Sequence, residues 1–180
     1  MDSLQGKLLI AAPSLVDPNF RRAVVLIAQH SDDGAMGLVL NRPAETTVAE
    51  AVPPLAPLVE DDEVVWSGGP VEPAGVIVLA EYDAPAESEE LVFGDVGFMP
   101  ADADPLLVSV ATRRARVFAG YAGWGAGQLE AELEEDSWYV ETAAPEDVFN
   151  EADDLWSDVL ERKGGPYRLL SKMPPNPSLN

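Results

Sequence analysis

The sequence predicts an α+β fold with a largely antiparallel or mixed sheet. Apolar runs typical of buried strands outnumber helical patterns in the N-terminal half, and hairpin-type turns join several of them. Helical patterns concentrate toward the C-terminus, so strands and helices do not alternate as they do in parallel βαβ folds. The length of 180 residues suits one domain. We assign that domain to residues 1–172 and a flexible, proline-containing tail to residues 173–180.

The first three predicted strands form the start of the sheet. Residues 7–11 are the first, and residues 23–29 form a mostly apolar run, as expected for a strand buried on both faces. An Asp-Gly turn at 32–34 separates this run from a third strand at 36–40. Such a turn between two β-like runs predicts a hairpin.

The middle of the chain combines one short helix with further strands. Residues 47–50 have capping-box spacing and begin a helix that Pro53 and Pro54 end. Residues 81–90 are acidic and contain proline, which predicts an exposed loop. Further strands are expected at 64–66 and 75–80, and a small hairpin is expected from 91–93 and 96–98.

Three helices are predicted in the C-terminal half. Asp104 before Pro105 is typical of a helix start, and the apolar spacing that follows is helical, with Arg113 and Arg114 at its end. A second helix is expected at 128–136, before a strand at 138–140. The third, at 151–163, carries acids first and bases last, and its buried stripe is Leu155, Trp156, Val159 and Leu160.

Charge is the strongest compositional signal. The net charge is −21, from 11 basic and 32 acidic residues, and no Lys or Arg occurs between Arg42 and Arg113. Such a surface repels nucleic-acid phosphates and anionic membranes, so we expect no membrane partner and direct nucleic-acid binding is disfavoured. A solvated acidic surface is the simplest interpretation, and a docking face for a basic partner is the alternative.

Several function classes are excluded or disfavoured by what the sequence lacks. There is no cysteine, which excludes disulfides, thiol catalysis and Cys-ligated metals. No signal-peptide pattern is found at the N-terminus, and no apolar run approaches the length needed to span a bilayer. We therefore expect a cytoplasmic protein.

A glycine-rich corner is the most distinctive motif. Glycines recur at 120, 123, 125 and 127, around Tyr121 and Trp124, between a predicted strand at 116–119 and a predicted helix. The spacing matches neither a P-loop nor a dinucleotide-binding fingerprint, and no lysine follows it. Tight packing of the two aromatics is the main interpretation. Nucleotide binding and a small-ligand or partner groove are the alternatives, and the same reasoning applies to Gly68 and Gly69.

Candidate catalytic and metal-binding residues are few. His30 is the only histidine, no Gly-x-Ser-x-Gly motif is present, and a hydrogen-bonded strand-edge residue is the simpler interpretation. Glu130 and Glu134 lie one helical turn apart and could share a cation, although neighbouring solvated acids usually explain this spacing. We therefore assign no catalytic residue, no metal site and no cofactor.

Asn41 and Arg42 form the most interesting polar position. Arg42 is the last cation before the long acidic region. It either anchors a carboxylate within the protein or faces a ligand or partner, since arginine favours bidentate contacts with carboxylates and phosphates.

Three blocks of sequence together resemble the YqgE/AlgH family of bacterial proteins: residues 6–13 with 17–20, residues 34–43, and residues 120–130. Gly68-Gly69-Pro70-Val71 and Trp138 also lie where that family's pattern places them. The resemblance runs from about residue 5 to about residue 170. It implies a bent sheet forming a pseudo-barrel, flanked by helices. It implies no established enzymatic activity, and some members are labelled regulators of alginate synthesis. The chain departs from the pattern at Ala23, where serine is common, and in the acidic residues 81–95.

These observations lead to one main functional hypothesis and two alternatives. The main hypothesis is a non-enzymatic module with a regulatory role that binds a small molecule or a protein. The alternatives are a carboxylate-dependent hydrolase, which would gather Glu130, Asn41 and Arg42 in one pocket, and a DNA-binding transcriptional regulator. The candidate binding residues are Asn41, Arg42, Gly68, Gly69, Tyr121, Trp124, Gln128 and Glu130.

Overall fold

The computed structural model describes residues 2–84 and 90–175. Within them the chain forms ten strands flanked by short helices, which confirms the α+β class. The strands are β1 (Lys7–Ala11), β2 (Val24–Ser31), β3 (Gly34–Val39), β4 (Pro43–Thr47), β5 (Val64–Ser67), β6 (Val71–Tyr82), β7 (Leu91–Phe93), β8 (Val96–Phe98), β9 (Thr112–Gly125) and β10 (Trp138–Thr142). The helices are α1 (Val48–Ala51), a 3-10 helix (Pro53–Leu58), α2 (Pro105–Ala111), α3 (Gln128–Glu134), α4 (Pro145–Phe149), α5 (Leu155–Lys163) and α6 (Tyr167–Leu170).

The strands pair in the spatial order β10-β1-β2-β3-β9-β6-β8-β7, and β5 joins β9 while pairing with β4. Every pair is antiparallel except β5 with β9. The long strand β9 connects the two halves of the sheet, because its C-terminal end pairs with β3 and the rest pairs with β6. Since β10 and β7 lie at opposite ends of this order, the described strands form an open sheet that does not close into a barrel.

Both faces of the central strands are buried. Along β1, Leu8 and Ile10 belong to one apolar cluster, whereas Leu9 and Ala11 belong to another on the opposite face. The residues of β2 from 24 to 28 alternate between the same two clusters. This pattern explains why both strands read as continuous apolar runs in the sequence.

Local sequence signals locate several element starts correctly, although β6 and β9 each begin four residues earlier than predicted. The β2–β3 hairpin is formed as predicted. The Thr47 side chain accepts from the backbone N–H of Glu50 at the start of α1, and Asp104 accepts from Leu106 at the start of α2. Helix α5 begins at Leu155 rather than at residue 151, because Asp154 is the residue that caps it.

The prediction of an exposed loop over 81–90 is wrong at its start. Glu81 and Tyr82 belong to β6 and are buried, and residues 85–89 lie outside the described residues. Both carboxylate oxygens of Glu81 accept hydrogen bonds from Arg114, at 3.0 and 3.2 Å. This pairing compensates for the burial of the charge, which local composition could not indicate.

The prediction that Arg113 and Arg114 end a helix is also wrong. Strand β9 begins at Thr112, and Arg113 forms ion pairs with Asp83 at 3.1 Å and Asp95 at 3.2 Å. The partners come from distant parts of the sequence, so strand pairing rather than a helix dipole places these arginines. The elements that sequence analysis missed are β4, the 3-10 helix, α4 and α6.

The first residue of the expected tail contacts the segment that precedes β2. The backbone carbonyl of Met173 accepts from Arg22 at 3.0 Å. The remainder of the expected tail, residues 176–180, lies outside the described residues. No helix in the described part of the chain has the length and apolar character needed to cross a bilayer.

Candidate functional site

Asn41 and Arg42 line a cavity of about 560 Å³ between the end of β3 and the start of α5. We call it the Arg42 cavity. Its wall also includes Arg21, Arg22, Trp66, Asp153 and Asp154. Three arginines therefore face two aspartates here, in a chain whose net charge is −21.

Asn41 holds the backbone beside this cavity. Its Oδ1 accepts from the N–H of Val24 at 3.1 Å, and its Nδ2 donates to the carbonyl of Arg22 at 2.9 Å. Both bonds tie the end of β3 to the start of β2. Asn41 therefore fixes the backbone on both sides of Ala23 and keeps one N–H for a further hydrogen bond.

Arg42 has one protein partner in the described part of the chain. Its guanidinium donates to the backbone carbonyl of Arg21. No described carboxylate lies within ion-pair distance of it, so the interpretation that Arg42 anchors an internal carboxylate finds no support there. Partial burial lowers the pKa of Arg42 because the charged form loses water.

Arg22 and Arg116 add cationic charge around the same cavity. Arg22 bonds Asp154 at 3.2 Å and lies over the ring of Trp156, 4.0 Å from its centroid. Arg116 is buried, donates to the carbonyl of Phe149 at 3.1 Å, and stacks 4.1 Å from the centroid of Trp66, which lines the cavity. Burial lowers the pKa of Arg116 as well. No local sequence signal marks Arg116, since only the tertiary structure places it against the ring of Trp66.

Gly68 and Gly69 allow a close approach of two backbones. A Cβ on Gly68 would lie 2.3 Å from the carbonyl oxygen of Gly120, and one on Gly69 would lie 2.2 Å from the carbonyl carbon of Tyr121. The N–H of Gly68 donates to Ala119 at 2.9 Å. These contacts support the tight-packing interpretation of both glycine motifs.

Tyr121 and Trp124 line a separate cavity of about 760 Å³. Trp124 packs in an aromatic cluster with Phe20 and Trp138, with centroids 5.8 to 6.3 Å apart. Its indole N–H donates to Glu132 at 3.2 Å, and the same carboxylate oxygen accepts from Trp138 at 3.0 Å. The predicted turn from strand to helix lies between Gly125 and Gln128 and not at residue 120, because β9 continues to Gly125.

Gln128 and Glu130 stabilise the start of α3. Gln128 accepts from the N–H of Gly125 at 3.0 Å and donates to Glu132 at 3.0 Å. Glu130 accepts from His30 Nε2 at 2.6 Å. This hydrogen bond is the main reason that the pKa of Glu130 is held below its ordinary value.

His30 is not placed to act as a general base. Its Nδ1 accepts from the N–H of Leu4 at 2.9 Å, so Nε2 carries the proton that it donates to Glu130. Ser3 and Ser31 line the adjacent 290 Å³ cavity, but both ring nitrogens of His30 are already engaged. The histidine instead joins the N-terminal segment to α3 from the end of β2, a strand that lies between β1 and β3 in the sheet.

The structure does not gather the set that the hydrolase hypothesis requires. Glu130 lines the cavity beside His30, whereas Asn41 and Arg42 line the Arg42 cavity. Among residues 2–84 and 90–175, no group of three or more His, Asp or Glu side chains could hold a metal ion.

Comparison with known proteins gives consistent results over nearly the whole chain. A family model described as AlgH-like matches residues 8–168. The UPF0301 protein SCO2948 of Streptomyces coelicolor is 41% identical over 187 residues, covering 100% of this chain and 97% of that protein. The UPF0301 protein Rv0038 of Mycobacterium tuberculosis is 40% identical over 181 residues, covering 97% of this chain and 90% of that protein.

Two solved structures share this fold. The crystal structure of protein DIP2367 from Corynebacterium diphtheriae matches with a TM-score of 0.88 and 30% identity, over 96% of this chain and 93% of that one. The solution structure of the AlgH protein from Pseudomonas aeruginosa matches with a TM-score of 0.73 and 30% identity, over 97% of each chain.

Proposed function

The chain belongs to the AlgH-like family, and we propose that it is a non-enzymatic binding module with a regulatory role, whose ligand is a small carboxylate or phosphate anion held beside Arg42. We place this module in the cytoplasm, in keeping with its lack of cysteine. The observation that carries the proposal is a partly buried guanidinium with one described partner, a backbone carbonyl, at a cavity of about 560 Å³.

The chemistry of the cavity favours a carboxylate or phosphate group. A guanidinium presents five N–H donors in a planar fork, and the carbonyl of Arg21 occupies only one nitrogen of Arg42. Partial desolvation strengthens any charge-assisted hydrogen bond formed there. Trp66 lines the same cavity and can contact the apolar part of the ligand.

The alternatives receive less support. A carboxylate-dependent hydrolase would need Glu130, Asn41 and Arg42 in one pocket, but Glu130 lines a different cavity from the other two. Direct DNA binding is disfavoured by the net charge of −21, because affinity for DNA comes largely from cations that displace counterions. A regulatory role through ligand binding avoids both difficulties.

Titration of the whole chain with succinate and with inorganic phosphate tests this proposal. We expect saturable chemical-shift changes at Asn41, Arg42 and Trp66 in two-dimensional NMR spectra with at least one of the two anions. We expect Arg42→Gln to weaken binding by about tenfold or more, since hydrogen bonds to charged groups contribute about 1.5 to 3 kcal/mol.

Arg168→Gln is the matched control, because Arg168 is an exposed arginine on α6 outside the cavity. This variant should bind like the wild type, and neutral succinamide should not bind. The proposal is wrong if neither anion shifts these resonances at millimolar concentration, or if the two arginine variants bind equally well.

A further inference from the structure

A second surface of the molecule has the form of an apolar groove. The cavity of about 760 Å³ beside Tyr121 and Trp124 adjoins one of about 570 Å³ beside the 3-10 helix and α2. The two share Gln29, Met36 and Ile77 in their walls. We call the combined surface the apolar groove.

Several large apolar side chains in the walls of the groove remain partly exposed to solvent. Val76, on β6, is 44% exposed at its wall. Met36, Ile77, Phe98 and Met99 are each only partly buried beside it. A contiguous apolar surface of this kind on a folded domain is typical of an interaction site.

The charges around the groove have one sign. Its walls contain Asp33 and Glu90 but no lysine or arginine. Residues 43–112, which supply most of the wall beside α2, contain no lysine or arginine anywhere in the sequence. The exposed acids Glu72, Asp102 and Asp104 are sequence neighbours of wall residues.

We propose that the apolar groove binds a cationic amphipathic helix of a partner protein. The apolar face of such a helix would cover Met36, Val76 and Ile77. Lysine or arginine on its flanks would pair with Asp33 and Glu90, which we call the acidic rim. This is the helix-in-groove mode of recognition, with charge complementarity setting the choice of partner. The proposal concerns a surface apart from the Arg42 cavity and does not depend on the function proposed there.

Two other occupants fit the observations less well. A second copy of this chain would bring a net charge of −21 toward an acidic rim, which opposes association. An acidic or uncharged apolar segment would leave Asp33 and Glu90 without partners and would gain nothing from the rim. The absence of lysine and arginine from the walls therefore favours a cationic occupant.

Binding of a designed peptide to the full-length protein tests the proposal. The probe is a fluorescently labelled helix of about 18 residues, or five turns, with leucine on one face and lysine on the other. We expect micromolar binding by fluorescence anisotropy, with chemical-shift changes at the methyl groups of Met36, Ile77 and Met99. Binding should weaken as the NaCl concentration increases, because the rim contribution is electrostatic.

Two controls separate groove binding from general attraction to an acidic protein. Val76→Arg introduces a cation into the groove at an exposed position, and we expect it to weaken binding at least tenfold. Val16→Arg adds the same charge at a residue that is 72% exposed and outside the groove, and it should bind within twofold of the wild type. Circular dichroism and urea midpoints check that both variants are folded.

Peptide sequence supplies the second control. A peptide with glutamate in place of lysine should not bind, and a scrambled lysine–leucine peptide should bind at least tenfold more weakly. The proposal is overturned if Val76→Arg and Val16→Arg weaken binding equally, if the scrambled peptide binds as well as the amphipathic one, or if the shifts map outside the groove. Loss of succinate or phosphate binding in Arg42→Gln would leave this result unchanged, so the two proposals fail independently.

Discussion

Gly120 and Gly127 have nearly the same left-handed backbone conformation, with φ of +76° and +74°, but different surroundings. A Cβ on Gly120 would lie 2.4 Å from the carbonyl oxygen of Gly69, whereas a Cβ on Gly127 would meet nothing within 4 Å. One glycine is required by both conformation and space, and the other by conformation alone. A sequence pattern of recurring glycines does not distinguish the two cases.

This pair allows a matched test of the packing interpretation. We expect Gly127→Ala to lower the free energy of unfolding by about 1 kcal/mol through backbone strain. Gly120→Ala should lower it by about 2 kcal/mol more, because the β9 and Gly69 backbones must separate. Urea unfolding of both variants measures the difference. Equal losses would show that the close approach of the two backbones contributes little.

The contact between His30 and Glu130 predicts a pH dependence. The pKa of Glu130 is held below its ordinary value of 4.5, so the folded state favours the carboxylate. The stabilisation is therefore fully present above about pH 4.5 and is lost as the pH falls through the lowered pKa. We expect Glu130→Gln to be destabilising at pH 7 and to approach the wild type as the pH falls through the lowered pKa of Glu130, as measured by urea midpoints.

Glu134→Gln is the control for this measurement. Glu134 is exposed on the same helix and has no hydrogen bond or ion pair from its side chain in the described part of the chain. Its variant should follow the wild-type midpoint at every pH. A Glu130→Gln difference that stays constant from pH 7 to pH 3 would contradict the assignment of the effect to the carboxylate.

At the scale of elements, α5 is the helix that the sequence described best. Its stripe of Leu155, Trp156, Val159 and Leu160 is buried as predicted. Trp156 also donates from its indole nitrogen to the carbonyl of Ala11 at 2.8 Å and lies under the guanidinium of Arg22. Periodicity predicted the buried face, but it could not show that the helix packs on β1.

We expect Trp156→Ala to detach α5 from the sheet. Loss of a buried aromatic side chain costs about 3 to 5 kcal/mol, and here the carbonyl of Ala11 also loses a donor. Amide hydrogen exchange should accelerate across α5 more than across β2. Glu161→Ala, at an exposed position of the same helix, should change stability by less than about 0.5 kcal/mol. Uniform acceleration in both elements would indicate that α5 does not open separately.

The start of β9 shows where element prediction failed. The helical spacing of apolar residues predicted a helix that ends at Arg114, whereas β9 begins at Thr112. Arg113 and Arg114 are held by carboxylates on β6 and the residues after it, and these partners are about 30 residues away in the sequence. Likewise Leu106, Leu107 and Val110 are exposed, while Val108 is the inward residue of α2. Local periodicity could not anticipate which face the sheet covers.

At the scale of the whole molecule, repulsion between like charges lowers the stability of the folded state. A net charge of −21 on 180 residues produces self-repulsion that salt screens. We expect the urea midpoint to increase as NaCl is raised from low concentration. The triple variant of Glu60→Gln, Asp61→Asn and Asp62→Asn removes three exposed acids, so it should be more stable at low salt and less sensitive to NaCl.

The same experiment distinguishes repulsion from ion pairing. If ion pairs such as Arg113 with Asp83 dominated, salt would lower the midpoint instead of raising it. A midpoint that falls with NaCl, or a triple variant less stable than the wild type at low salt, would show that repulsion is not the main electrostatic contribution.

The sequence by itself determined the α+β class, most strands, several helix caps and the acidic character of the surface, because these depend on short-range periodicity, capping chemistry and composition. Only the tertiary structure decided that Arg42 lacks a carboxylate partner among the described residues, that His30 has both ring nitrogens engaged, and that Met36 and Ile77 line two adjoining cavities. Each of these depends on contacts between residues far apart in the chain, and no local pattern encodes such a distance.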